Sequence, residues 1–200
     1  MEDAVDMRAR NRQATREAIS TAALRLALER GPEGLALVRV RDIAEAAGVS
    51  PRTYNNYFSS REEAICAFQS DQARRLGKAL LARPADEPLG QAVTAAVTEY
   101  YGTAEPDRAG LRMIMCTPAL EGEALKAFTT AEGPLAEAIA ERTGGDELFA
   151  RVMAAAVAGA IRVAGRHWIE RDDSEPFASI LRRALAHVAT ADRPASPGLG

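Results

Sequence analysis

The sequence predicts an all-α protein, with an N-terminal three-helix helix-turn-helix domain followed by a C-terminal helical domain. Three observations carry this. Apolar residues recur at helical spacing along the chain, and no alternating run marks a strand. Prolines, glycines and short polar runs punctuate these stretches at helix-length intervals. Between Val40 and Phe58, the order of small, apolar and polar residues builds two short helices around a glycine.

The elements follow in order. Residues 1–11 read as a flexible arm, and Arg8 and Arg10 within it, with Arg12 just after it, are candidates to touch a phosphate backbone or a minor groove. A first helix is expected over 12–30. Its stripe is Ile19, Ala22, Ala23 and Leu26, and Gly31-Pro32 ends it. In the next helix Ile43, Ala44 and Ala47 share a face, and Gly48 follows where the turn requires a positive φ. Val49 plugs the corner. Ser50 is a good N-cap, and Pro51 at the first helical position needs no backbone donor. Tyr54 and Phe58 then face inward, which leaves Arg52, Thr53, Asn55 and Asn56 on the outer surface. Such a surface suits a major groove. Arg grips guanine and Asn grips adenine, each through two hydrogen bonds.

A fourth helix is expected over 60–80, capped by Ser60, with Glu62 and Glu63 in its first turn where the helix dipole favours them. It links the DNA-reading domain, residues 12–59, to a body spanning 60–191. Further helices are expected over 89–102, 107–116, 119–142, 146–171 and 174–191. The breaks between them fall at Pro106, Thr117-Pro118, Thr143-Gly144-Gly145 and Asp172-Asp173-Ser174. Residues 192–200 read as a disordered tail.

Charge is distributed unevenly. Residues 7–75 hold 12 Arg and no Lys against 8 acidic residues, net +4, and residues 76–200 carry net −4. A basic head on an acidic body is the footprint of a domain that meets phosphates. With 47% hydrophobic and 26% charged residues, the composition is that of a soluble globular chain. No apolar run is expected to span a bilayer, and the acidic start is unlike a secretory signal, so no membrane and a cytoplasmic location are expected. Cys66 and Cys116 lie far apart in helical patterns and read as buried free thiols. His167 and His187 fall on different helices, and the chain carries no nucleophile elbow, phosphate loop or paired-cysteine motif. An enzyme, a metal and a cofactor are therefore not expected.

The run Arg41-Asp42-Ile43-Ala44-Glu45-Ala46-Ala47-Gly48-Val49-Ser50, followed by Thr53, Tyr57-Phe58 and Ser60-Arg61-Glu62-Glu63-Ala64, resembles the DNA-binding domain of the TetR family of transcriptional regulators. The resemblance is specific over residues 12–67 and architectural beyond. Two departures stand out. Val38-Arg39 occupy positions where a Thr or Ser commonly caps the first helix of the motif, and Asn55 stands where many members carry Tyr. The resemblance implies a homodimer on a palindromic double-stranded operator, with two heads meeting successive major grooves about 34 Å apart. It also implies repression relieved by a small apolar or amphipathic effector.

Within each head, Arg41, Arg52, Asn55 and Asn56 are the candidate base contacts, and Thr53, Tyr57 and Arg61 the candidate phosphate contacts. Tyr57 also has the character of a core residue. Candidate effector residues are Phe68, Gln72, Tyr100, Tyr101, Arg112, Met113, Met115, Phe128, Met153 and Trp168, with Arg112 available to an anionic end. The run Leu111 to Leu120 is similar to the body of an actinobacterial subgroup, some members of which answer to acyl-type ligands. Phe149, Met153, Ala156, Ala160 and Ala164, with Phe177, Ile180, Leu181, Leu185 and Val188, suit either a four-helix dimer interface or an intramolecular core. The competing readings are a helical small-molecule binder without DNA recognition and, less favoured, an all-α enzyme.

Overall fold

The computed structural model describes the backbone of residues 2–102, 105–171 and 175–190, and the side chains of these except 2–6, 9, 68–71, 189 and 190. The expected tail, 192–200, lies outside the described residues. Among the described residues there are helices and no strands. The chain forms two compact units, residues 1–71 with 112–127, and residues 72–111 with 128–200. This division departs from the boundary expected at residue 60. The helix start after Ser60 and the stretch 112–127 bury apolar side chains in the same core as the head.

In the first unit, α1 (Glu2–Gly34) is helical from Glu2, so the segment expected as an arm continues the helix. No proline or glycine interrupts the chain before Gly31. There φ reaches 69°, ψ is 173°, and the helix kinks. A 3-10 turn (Leu35–Leu37) leads to α2 (Val40–Ala46), α3 (Pro51–Asn55) and α4 (Arg61–Cys66). Ile19, Ala23 and Ala27 of α1 are buried with Leu35, Val38, Ile43, Ala44, Tyr54, Phe58, Ala64 and Ile65. Met113, Ile114, Leu120 and Ala124 complete that core. The Cys66 thiol is buried there, 3.8 Å from the Leu120 carbonyl, and burial pushes its pKa up to about 12. Cys116, expected to be buried, is exposed, because it sits at the helix end after the buried Met113 to Met115 turn.

The single helix expected over 60–80 is divided at Ala67 into α4 and α5 (Phe68–Leu81). α6 (Leu89–Gly102), α7 (Arg108–Cys116), α8 (Pro118–Thr143), α9 (Glu147–Glu170) and α10 (Phe177–Thr190) follow. α7 and α8 contribute to both units. In the second unit α10 packs on α9 and α6, and of the expected stripe, Phe177, Ile180, Leu181 and Leu185 are buried while Val188 is half-buried. On α9 the buried face is Ala150, Ala154, Val157, Ala164 and Trp168. Phe149, Met153, Ala156 and Ala160 are only half-buried, so most of the buried face lies one residue beyond the expected stripe. Arg142 at the end of α8 donates to the carbonyls of Arg83, Pro84 and Glu87 and so pins the loop before α6.

By length and composition α9 is apolar enough to cross a membrane, contrary to the expectation that no run would be. A single helix of this kind is weak evidence of a membrane span, and the α9 face bearing Trp168 packs against α10.

Candidate nucleic-acid interface and effector residues

The turn between α2 and α3 closes as a Schellman motif. Gly48, at φ 68°, donates to Glu45, and Val49 donates to Ala44, which satisfies the carbonyls at the end of α2. The Ser50 hydroxyl accepts from the Thr53 amide at 3.0 Å and lies 2.8 Å from the Thr53 hydroxyl, so it caps α3. At the start of α2, Arg39 occupies the N-cap position and makes no side-chain capping bond there. The departure from Thr or Ser therefore leaves that helix end without a side-chain cap.

α3 is anchored from behind. Tyr54 is fully buried, donates to the Ser60 carbonyl at 2.8 Å, and stacks at a tilt on Phe58 with 5.9 Å between ring centres. Burial, then Glu63 and Glu62, pushes the Tyr54 hydroxyl pKa up to about 12 against a smaller opposing effect of Arg61. Ser60 caps α4 by accepting from the Glu63 amide, and the Glu63 carboxylate accepts from the Ser59 amide and hydroxyl at 2.8 and 2.7 Å. Burial alone would raise the Glu63 pKa. The bonds from Ser59, with Arg16 and Lys126, hold it below the ordinary value.

With this anchoring, Arg52, Asn55 and Asn56 are exposed on the outer face of α3, and Arg41 is exposed on α2. Among the described residues neither Arg41 nor Arg52 is engaged in an ion pair. Thr53 and Tyr57 are half-buried, and the Thr53 hydroxyl is shared with Ser50. Arg61 takes a different place from a freely projecting cation. Its guanidinium bonds Glu62 at 2.7 Å and donates to the Ala36 and Val38 carbonyls at 3.0 and 3.2 Å, bracing the 3-10 turn against α4. Sequence reasoning passed over Arg16. It donates to the Tyr57 carbonyl at 3.2 Å and lies 4.4 Å over the Phe58 ring. Its position three residues before Ile19, on the stripe that builds the core, was the available signal.

Of the effector candidates, Arg112, Met113 and Met115 belong to the first unit. Met113 is part of the head core, 3.4 Å from the Thr117 hydroxyl, Met115 is buried and Arg112 is exposed. In the second unit the structure brings together four candidates. Tyr101 donates to the Gln72 side-chain carbonyl at 3.1 Å and meets Tyr100 edge-on at 5.1 Å. Tyr101 also meets Phe177 at 5.3 Å, and Phe177 meets Trp168 at 5.4 Å. Arg108, which sequence reasoning did not single out, covers the Trp168 ring at 4.3 Å, and Glu105 accepts from the Phe177 amide. Burial, then Tyr100, raises the Tyr101 pKa. Phe128 and Met153 are half-buried. The Phe68 side chain lies outside the described residues. A concavity of about 500 Å³ opens between α8 and α9, with Gly133, Ala136, Glu137 and Arg151 in its lining and none of the effector candidates.

Residues 19–64 match the family described as bacterial regulatory proteins, tetR family, and residues 87–192 match the MftR C-terminal domain. The chain is 32% identical over 182 residues to the HTH-type transcriptional regulator TcmR of Streptomyces glaucescens, covering 84% of this chain and 79% of TcmR. Among solved structures it is similar to the TetR-family repressor AlkX from Dietzia, with TM-score 0.59 and 18% identity over 87% of this chain and 95% of that one. It is also similar to Thermus thermophilus FadR in complex with lauroyl-CoA, with TM-score 0.55 and 21% identity over 92% and 99% of the two chains. With a helix-turn-helix of the geometry described above and two matching domains, the chain belongs to the TetR family of DNA-binding transcriptional regulators.

Proposed function

We propose that the protein is a homodimeric repressor that sits on a palindromic operator and is released by a small amphipathic effector of the acyl type. The observation that carries the DNA half of this reading is the exposed outer face of α3. Arg52, Asn55 and Asn56 lie there, beside Arg41, on a helix whose inner face is locked by Tyr54 and Phe58. These four are the base contacts, and Thr53 and Tyr57 meet phosphate. Arg61 serves the head first as the brace of its 3-10 turn. Residues 12–59 form the DNA-reading part, and the helical remainder binds effector and dimerises.

Pairing of two copies is supported by α9. Leu148, Val152 and Val163 are 75%, 58% and 56% exposed, and Val152 and Val163 lie three turns apart on one face. A second copy of this helix and of α10 covers that face and sets two heads one helical turn of DNA apart. An acyl-type effector is supported by the lauroyl-CoA bound to the structurally similar FadR and by the aromatic group around Tyr101 and Trp168. Its release of DNA needs only a preference of about 1–3 kcal/mol for the arrangement in which the heads no longer match the operator. A regulator of this kind acts in the cytoplasm.

The test is selection from random duplex DNA at about 0.15 M salt, followed by challenge of the bound complex with a lauroyl thioester. The reading expects an inverted repeat and its release by the thioester. A selected sequence without symmetry would reject the dimer, and an inverted repeat that the thioester leaves bound would reject the acyl effector.

A further inference from the structure

α1 begins at Glu2, whereas its contribution to the head core begins at Ile19. The helix therefore runs nearly five turns beyond the core it serves. Arg8, Arg12 and Arg16 fall at four-residue intervals in this stretch and so share one face, while the acidic positions 2, 3 and 6 fall outside the series. Arg16 fixes where that face points. It bonds the Tyr57 carbonyl at 3.2 Å and covers the Phe58 ring, both at the C-terminal end of the reading helix. At about 1.5 Å per residue, Arg12 and Arg8 stand about 6 and 12 Å farther along the same line. Both are exposed, while Gln13 and Glu17 bond each other at 2.9 Å on a different side of the helix.

We propose that Arg8 and Arg12 form a second DNA contact, in which the extended start of α1 grips the phosphate backbone beside the bases read by α3. This rests on the DNA reading given above and deepens it. Guanidinium groups suit phosphate because their fork matches two of its oxygens. A helix carrying two of them in line with Arg16 continues the basic surface of the head beyond the major-groove contact. Such a contact sets affinity and register and carries no base preference.

The experiment compares wild type, Arg8→Ala/Arg12→Ala and Arg8→Lys/Arg12→Lys in the full chain. The probe is the duplex that wild type selects from random DNA. The alanine variant is expected to select the same bases, to lose backbone protection outside the half-sites in hydroxyl-radical footprinting, and to show a salt dependence shallower by about 1.8 per head. The lysine variant is expected to keep most of the salt dependence. Identical footprints and salt slopes for alanine variant and wild type would overturn the second contact while leaving the reading by α3 intact. Failure of wild type to select any sequence would overturn both.

Discussion

The guanidinium of Arg16 donates to the backbone carbonyl of Tyr57 at 3.2 Å, across 41 residues of sequence. It ties α1 to the C-terminal end of the helix that presents Arg52, Asn55 and Asn56, and it also lies 4.4 Å over the Phe58 ring. A charged donor here suits a helix end, where carbonyls lack intrahelical partners and the dipole is negative.

Arg16→Ala is therefore expected to destabilise the head by about 1.5–3 kcal/mol, the range for hydrogen bonds to charged groups. Affinity for the selected duplex should fall with base preference retained, because the side chains proposed to read bases remain. Urea melts and binding titrations check this, and a change in the selected bases would contradict the positioning role.

Gly48 and Gly122 make a matched pair. A Cβ at either position meets nothing within 4 Å, so backbone conformation alone decides the outcome. Gly48 has φ 68°, and Gly48→Ala should cost about 1–2 kcal/mol. Gly122 sits inside α8 and is exposed, and Gly122→Ala should stabilise by about 0.5–1 kcal/mol. Opposite shifts of the denaturation midpoint are the expected result.

Gly77 is required for a different reason. A Cβ there would come within 3.0 Å of the Pro134 carbonyl oxygen, a backbone atom of α8. Gly77→Ala should destabilise by about 1–3 kcal/mol through overpacking, despite the better helix propensity of alanine. Thermal melts of the variant beside wild type check the sign.

Glu63 gives a pH dependence. Its pKa is depressed in the folded head, so its contribution is present above the ordinary carboxyl value of 4.5 and is lost as pH falls through the folded value. Glu63→Gln should lower the melting temperature near neutral pH and flatten its decline below pH 4.5. Parallel acid melts of the two proteins would contradict this.

The helix-turn-helix was legible in the sequence because its signals are local. Gly48 has the positive φ its place requires, Ser50 caps, Pro51 starts α3, and Tyr54 and Phe58 turn inward. What was not legible depends on contacts distant in sequence. Arg61 reads as a phosphate contact until the Ala36 and Val38 carbonyls are placed beside it. Met113 reads as a pocket residue, yet it lies in the head core. Cys116 carries the helical pattern of its neighbours and still ends exposed. On α9, alanine-rich sequence offers several stripes of similar apolarity, and packing against α10 selects the one that includes Trp168.

The proposed function turns on base reading by the outer face of α3. It is tested most directly by selecting random duplex DNA with wild type, Arg52→Ala and Asn55→Ala side by side. An inverted repeat is expected for wild type, with preference relaxed in each variant at one symmetric pair of positions and a loss of about 1–3 kcal/mol for the original base there. Variants that select the same bases with the same discrimination as wild type would contradict it.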